Sequence, residues 1–226
     1  SGLMVQELVL ETLTNMGFNV VCLGLSTTPT VEIAVPIEKA DAGIIITASH
    51  NPREWNALKL LNNKGEFINA QDGKNLLSIA ESNPSFKLKT EKGLITYNDV
   101  FIDTHINMIL NLSCVDIELI KNRKLKVVVD AVNSTGGIAV PKLLEKLGVE
   151  VIKIYCDPTG EFPHNPEPLK ENLFDLSDLV IEKNADLGIV VDPDVDRLAF
   201  VSEDGEVFGE EYTLVACADY YLKYNS

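Results

Sequence analysis

The sequence lacks both an excess of basic residues and any long apolar run, and each absence excludes a class of protein. Lysine and arginine number 19 against 34 acidic residues, which gives a net charge of −15. That charge repels phosphate backbones and anionic lipid surfaces, so we expect neither a nucleic-acid partner nor a membrane role. No apolar run approaches the roughly 20 residues of a transmembrane helix, and the first residues carry no basic start of a signal peptide. We therefore expect a cytoplasmic protein.

Cysteine is also scarce. The four cysteines lie far apart, without the paired spacing of a zinc site or the density of a disulfide scaffold. Reduced thiols packed in a core are expected instead. The chain itself can form such a core, because its 226 residues are 46% hydrophobic and suffice for one or two domains.

Apolar strands alternate with amphipathic helices in both halves of the chain, which predicts an α/β fold. Residues 81–97 show no sustained period and make the best boundary, so we place domains at 1–96 and 97–226. In each half, the alternation of strands and helices predicts a three-layer α/β/α domain with a mixed, mainly parallel sheet. The chain opens on a helix, and since helices follow strands in an alternating pattern, we expect a preceding strand outside this sequence. Residues 157–168 contain four prolines and predict a rigid irregular loop, called the proline-rich loop below.

Three aspartates follow the apolar strand 187–191: Asp192, Asp194 and Asp196. Alternate residues of an extended chain project to one side, where three carboxylates repel each other unless a cation or protons neutralise them. A hard divalent ion such as Mg²⁺ meets that need through oxygen ligands. The alternative without a functional site is an acidic, solvated turn.

Three kinds of metal-binding loop could explain the spacing of these aspartates. An EF-hand fits poorly, because Arg197 stands where the loop needs glycine and the flanking segments are strands. A haloacid-dehalogenase-like phosphatase would use Asp192 as its phosphate acceptor, although that fold keeps more machinery downstream. The third possibility is a metal facing a phosphorylated residue elsewhere in the chain. A non-catalytic metal-binding module also stays open.

Ser49 is the candidate for that phosphorylated residue. It follows the apolar strand 44–46, at the end where α/β sheets bind ligands. Its hydroxyl is either part of a turn or a nucleophile that needs activation. His50 is adjacent in sequence, which is poor geometry for a serine–histidine relay. Lys59 on the next strand is a base, a phosphate contact or simply a solvated lysine.

Together these segments resemble the α-D-phosphohexomutases, the group of phosphoglucomutases, phosphomannomutases and phosphoglucosamine mutases. Thr-Ala-Ser-His-Asn-Pro at 47–52 with Asn-Ala-Leu-Lys at 56–59 resembles their phosphoserine loop. Asp-Pro-Asp-Val-Asp-Arg at 192–197 resembles their metal loop, and 160–168 resembles a third family segment. The likeness covers nearly the whole chain, with the motifs in the family's order and about its spacing.

The resemblance implies an isomerase with four domains, of which this chain holds the first two. In that family a phosphorylated serine, here Ser49, gives its phosphoryl group to a sugar monophosphate. The bisphosphorylated sugar then turns round and returns its other phosphate. The implied partners are a hexose or hexosamine 1- or 6-phosphate and the remaining C-terminal domains, and the fragment alone is expected to be inactive.

The resemblance also implies the role of each site residue. One Mg²⁺ is held by the carboxylates and by a phosphate oxygen on Ser49. His50 and Lys59 are the acid/base candidates, and Arg197 binds the substrate phosphate. The metal ligands implied by the likeness are Ser49, Asp192, Asp194 and Asp196.

Two positions depart from the family pattern. Pro193 stands where the family's metal loop usually has glycine, which removes one N–H donor. Ala57 stands where the serine loop usually has glycine, so a left-handed backbone there would be strained. Neither change removes a ligand.

Overall fold

The computed structural model describes residues 2–49, 51 and 55–224. They form an α/β protein with two compact units. The first unit holds the described residues of 1–47 and 54–101, and the second holds those of 48–53 and 102–226.

The first unit contains two separate pairs of strands. Its elements are α1 (Gly2–Asn15), β1 (Val20–Cys22), α2 (Thr28–Ile37), β2 (Gly43–Thr47), β3 (Ala57–Leu61), α3 (Ala70–Glu81) and β4 (Ile95–Tyr97). β1 pairs in parallel with β4, and β2 pairs antiparallel with β3. Its core is the cluster Val35, Ile45 and Leu61. α2 begins at Thr28 because the Thr27 hydroxyl accepts the Thr30 N–H and a proline occupies the first turn.

From residue 101 onward the chain forms helices around one four-stranded sheet. The elements are α4 (Phe101–Leu110), α5 (Ile117–Arg123), β5 (Lys126–Asp130), α6 (Gly136–Lys146), β6 (Glu150–Ile154), a 3₁₀ turn (Lys170–Asn172), α7 (Phe174–Lys183), β7 (Leu187–Val191), β8 (Leu198–Ser202) and α8 (Glu210–Tyr224). The strand order is β6-β5-β7-β8. β5 runs parallel to both neighbours, and β8 is antiparallel to β7.

The core of the second unit has two layers, one on each face of the sheet. Val128 packs with Leu176 and Val180 of α7, whereas Val127 and Val129 belong to a cluster on the other face, with side chains of α6. This alternation follows from the two-residue period of a strand. Because helices cover both faces, the predicted three-layer arrangement is confirmed for this unit.

The order of the strands reverses the direction in which the chain crosses this sheet, at its two central strands. The chain leaves β5 through α6 to reach β6 on one side, and it returns through α7 to reach β7 on the other side. Open α/β sheets generally bind ligands beyond the carboxyl ends of the two strands from which such connections diverge, here β5 and β7. Asp130 ends β5, and Asp192 directly follows β7.

Three local predictions need correction or confirmation. The segment 81–97, read as irregular, includes β4, and α5 was missed because it is only seven residues long. The proline-rich loop contains no helix or strand, as predicted. The four thiols are unpaired, but Cys217 is exposed on α8 and not in a core.

Within the part of the chain that the structure describes, no helix has the length and apolar character to cross a membrane.

Candidate active site and metal centre

The structure brings the three predicted carboxylates together at the carboxyl end of β7. One oxygen from each of Asp192, Asp194 and Asp196 lies within 4.8 Å of the others. Asp192 and Asp194 are buried, whereas Asp196 is exposed. Three carboxylates this close, two of them buried, repel one another unless charge is neutralised. We call residues 192–197 the metal loop from here on.

The two oxygens of Asp192 have different roles in the metal loop. Its Oδ1 accepts the main-chain N–H groups of Asp196 and Arg197, each at 3.0 Å, and so closes the turn. Its Oδ2 is buried and has no hydrogen-bond partner among the described residues. Burial raises the pKa of Asp192 to about 8, and the neighbouring Asp194 carboxyl adds to the rise. A buried, unsatisfied oxygen beside other carboxylates fits a hard divalent cation.

The same geometry disfavours two of the alternative metal loops. The Asp192 side chain is 0% exposed and holds the turn, so it is poorly placed to attack a phosphate as a phosphatase nucleophile. The metal loop is flanked by β7 and β8, whereas an EF-hand loop lies between two helices.

Contacts from the loop before α6 hold the metal loop in place. The Thr135 hydroxyl donates to the Pro193 carbonyl at 3.3 Å. Gly136 packs so closely that a Cβ there would lie 2.5 Å from Cγ2 of Val191. Val195 has φ of 64°, a left-handed conformation that is rare for a β-branched residue. Backbone strain of this kind persists only where the surroundings enforce it.

Ser49 lies in a turn that belongs to the same unit as the metal loop. The turn is closed by Asn51, whose main-chain and side-chain nitrogens donate to the Ala48 carbonyl at 3.1 and 3.2 Å. Ser49 has φ of 51°, so the candidate nucleophile also adopts a strained left-handed conformation. His50, the adjacent candidate, lies outside the described residues.

Lys59 belongs to the first unit, on β3, where it pairs with Ile45 of β2. Its ammonium nitrogen lies 5.8 Å from the ring centroid of Phe67, within the range of a cation–π contact. Ala57 begins β3, so the left-handed strain considered for this position does not arise.

Arg197 ends the metal loop, and its side chain has a partner that the sequence did not indicate. Its Nη1 lies 3.2 Å from Oε1 of Glu167 in the proline-rich loop. Sequence reasoning also missed Thr135 and the pair formed by His164 and Asp130. The available signals were the likeness of 160–168 to a family segment and the position of Asp130 at a strand end.

Comparison with known proteins identifies the family. Models of phosphoglucomutase/phosphomannomutase α/β/α domains I and II match residues 1–86 and 103–205. The chain belongs to the phosphoglucomutase/phosphomannomutase family. This finding confirms the resemblance to the phosphohexomutases.

Relatives within this family carry several mutase names. A phosphoglucomutase/phosphomannomutase of Thermococcus kodakarensis is 35% identical over 227 residues, which cover 100% of this chain and 49% of that protein. A probable phosphoglucosamine mutase of Methanopyrus kandleri is 35% identical, over 91% of this chain and 45% of the relative. The chain therefore spans about half the length of the curated relatives it matches. Its homologues are isomerases, and their names do not single out one sugar.

A solved structure supports the fold. The crystal structure of a phosphoglucomutase/phosphomannomutase family protein from Burkholderia thailandensis matches with a TM-score of 0.77 at 26% identity. The match covers 98% of this chain and 48% of that one.

Proposed function

We propose that this chain forms the first two domains of a phosphohexomutase, which interconverts 1-phospho and 6-phospho sugars through a phosphoserine. The observation that carries the proposal is the carboxylate cluster beyond β7, where the buried Asp192 Oδ2 has no hydrogen-bond partner among the residues that the structure describes. Family membership supplies the class of reaction. The domain boundary that we propose at 96/97 lies between the two segments that the family models match. β4 crosses this position and pairs with β1, and the two compact units divide after residue 101.

The proposed metal ligands are the three carboxylates of the metal loop and a phosphate oxygen on Ser49. Mg²⁺, when bound, supplies positive charge that offsets the charge of the phosphate oxygens. The protein contributes the fixed geometry: Asp192 Oδ1 keeps the turn closed, while its buried Oδ2 has no hydrogen-bond partner in the described part of the chain.

The proposed transfer step uses Ser49 as the phosphate carrier. A sugar hydroxyl oxygen forms a bond to phosphorus, and the bond from phosphorus to Ser49 Oγ breaks. The sugar hydroxyl proton passes to a base, and an acid donates a proton to the departing Ser49 Oγ. His50 and Lys59 are the proposed acid/base residues, and Arg197 is proposed to bind a phosphate oxygen. Repeating the step in reverse on the other phosphate of the bisphosphorylated sugar completes the isomerisation. Such transfers depend mainly on positioning and charge neutralisation.

The proposed substrate class is a hexose or hexosamine monophosphate. Relatives named for glucose, mannose and glucosamine phosphates match at similar identity, so all three sugars belong in the assay. We further propose that C-terminal domains complete the enzyme, that this chain alone is inactive, and that the protein is cytoplasmic.

The decisive experiment measures phosphate on Ser49 in the full-length protein that contains this sequence. Phosphopeptide mass spectrometry after incubation with glucose 1,6-bisphosphate should find phosphate on Ser49, and Ser49→Ala should lose both the phosphate and mutase turnover. Ser85→Ala is the matched control, because Ser85 is exposed and lies outside helices and strands. Unphosphorylated Ser49 together with normal turnover in Ser49→Ala would refute the proposal.

A further inference from the structure

The proline-rich loop is fastened to the carboxyl edge of the second unit's sheet. Gly160 donates its N–H to the Asn133 carbonyl at 2.9 Å, and the Asn133 side chain donates to the Glu161 carbonyl at 3.0 Å. His164 Nε2 lies 2.9 Å from the buried carboxylate of Asp130. These contacts hold an already stiff segment against the loop that follows β5.

Glu167, near the end of the proline-rich loop, has a fixed backbone. Its N–H donates to Oδ1 of Asn165 at 3.1 Å, and its carbonyl accepts the Asn172 side chain at 2.9 Å. The Glu167 side chain therefore extends from a point that is held on both sides.

Arg197 forms contacts with both the metal loop and the proline-rich loop. Its main-chain N–H donates to Oδ1 of Asp192 at 3.0 Å, and its Nη1 contacts Oε1 of Glu167 at 3.2 Å. The Arg197 and Glu167 side chains are 36% and 30% exposed. A half-exposed ion pair of this kind contributes little to the free energy of unfolding. Its main physical effect is to restrict the orientation of the guanidinium.

We propose that Glu167 is a positioning residue that holds the Arg197 guanidinium ready to receive a phosphate oxygen. This inference rests on the proposed function only in that Arg197 meets a phosphate. A guanidinium presents five N–H donors in a planar fork. Glu167 engages Nη1, and no hydrogen bond joins Nε or Nη2 to another of the described residues, so these donors can serve an anion. A side chain already held in one orientation loses less entropy when the anion binds.

Positioning and simple charge make opposite predictions for Glu167. If only its negative charge mattered, removing it would strengthen phosphate binding, because like charges repel. If it positions Arg197, removing it weakens phosphate binding. Glu210 provides a control, because it acts on Arg197 through its charge without an ion-pair contact in the described part of the chain.

The test is an NMR titration of this chain with inorganic phosphate. The sequence has three arginines, Arg53, Arg123 and Arg197, so few guanidinium Nε–Hε signals are present. Loss of one signal in Arg197→Lys assigns it. The variants are Glu167→Ala, which removes the acceptor, Glu167→Gln, which keeps an oxygen acceptor without the charge, and Glu210→Gln as the charge control.

We expect the Arg197 side chain of the wild type to be ordered, with a high heteronuclear NOE. Its Nε–Hε signal should shift when phosphate is added. Glu167→Ala should lower its heteronuclear NOE and weaken phosphate binding about fivefold, and Glu167→Gln should recover binding to within about twofold. Glu210→Gln should leave the order of Arg197 unchanged and binding no weaker. A purely structural role of Glu167 would not move the Arg197 NOE in a folded variant.

Three results would overturn the inference: equal or tighter phosphate binding in Glu167→Ala, unchanged order of Arg197 in that variant, or no response of wild-type Arg197 to phosphate. If Glu167→Ala does not fold, Glu167→Asp is tested in its place. The aspartate side chain is one methylene shorter, so its carboxylate lies too far away to contact Arg197 in the same way. Failure of the proposed function appears in a different measurement, the phosphorylation of Ser49.

Discussion

Nε2 of His164 lies 2.9 Å from Oδ2 of Asp130, and the two side chains are only 15% and 1% exposed. The pair joins the proline-rich loop to the end of β5. Burial by itself lowers the pKa of His164, but the hydrogen bond and charge of Asp130 outweigh it and raise the pKa above the usual 6.5. Asp175 adds a smaller electrostatic contribution, and the ring of Tyr155 packs edge-on against the imidazole.

The first prediction concerns stability and pH. Because the folded pKa of His164 is raised, its charged pair stabilises the protein fully below about pH 6.5, and this contribution is lost as the pH rises through the folded value. His164→Gln should lower the free energy of unfolding by about 2 kcal/mol at pH 6 and by less at pH 8.5. Urea denaturation at the two pH values measures this. An equal loss at both would show that the pair is not charged.

The second prediction concerns metal binding. Mg²⁺ should raise the thermal unfolding temperature of this chain, because a ligand that binds only the folded state stabilises it. Asp194→Asn should weaken Mg²⁺ binding at least about tenfold, since one of three carboxylate ligands loses its charge. Isothermal calorimetry measures the affinity. Asp178→Asn on α7 is the control, because it makes the same charge change at an exposed position. Equal effects of the two substitutions would count against a metal at the metal loop.

The third prediction concerns Thr135, which touches the metal loop without being a candidate ligand. Thr135→Val keeps the shape of the side chain but removes the hydroxyl that donates to the Pro193 carbonyl at 3.3 Å. Groups that orient ligand-bearing segments affect metal affinity by about tenfold, and we expect a loss of that size. Thr135→Ser should retain most of the affinity, because it keeps the donor. Calorimetry with Mg²⁺ separates the two variants, and identical affinities would refute the role.

The fourth prediction contrasts two glycines. A Cβ at Gly137, at the start of α6, would lie 2.1 Å from the Cys156 carbonyl oxygen. Gly137→Ala should therefore lower the free energy of unfolding by about 2 kcal/mol. Gly73 in α3 has nothing within 4 Å of such a Cβ, so Gly73→Ala should stabilise by about 0.5 kcal/mol through the unfolded state. Urea denaturation followed by circular dichroism tests both signs.

The sequence alone indicated the fold class and the two apolar strands that precede the candidate site residues. β7 was predictable because apolar residues 187–191 are bounded by polar ones. The spacing of Asp192, Asp194 and Asp196 also indicated a metal site, because it puts three like charges on one short segment. Local signals of this kind depend on neighbours in the chain, and so they can be read without a structure.

Only the tertiary structure decided which distant residues support that site. Thr135 meets Pro193, Glu167 meets Arg197 and His164 meets Asp130 across 30 or more positions of sequence. Nothing in the local pattern of these residues distinguishes a partner from a solvated side chain. Their pairing follows from the strand order β6-β5-β7-β8, which brings the ends of β5 and β7 together. The sequence thus indicated the candidate ligands, and the packing of the sheet determined which residues hold their loop in place.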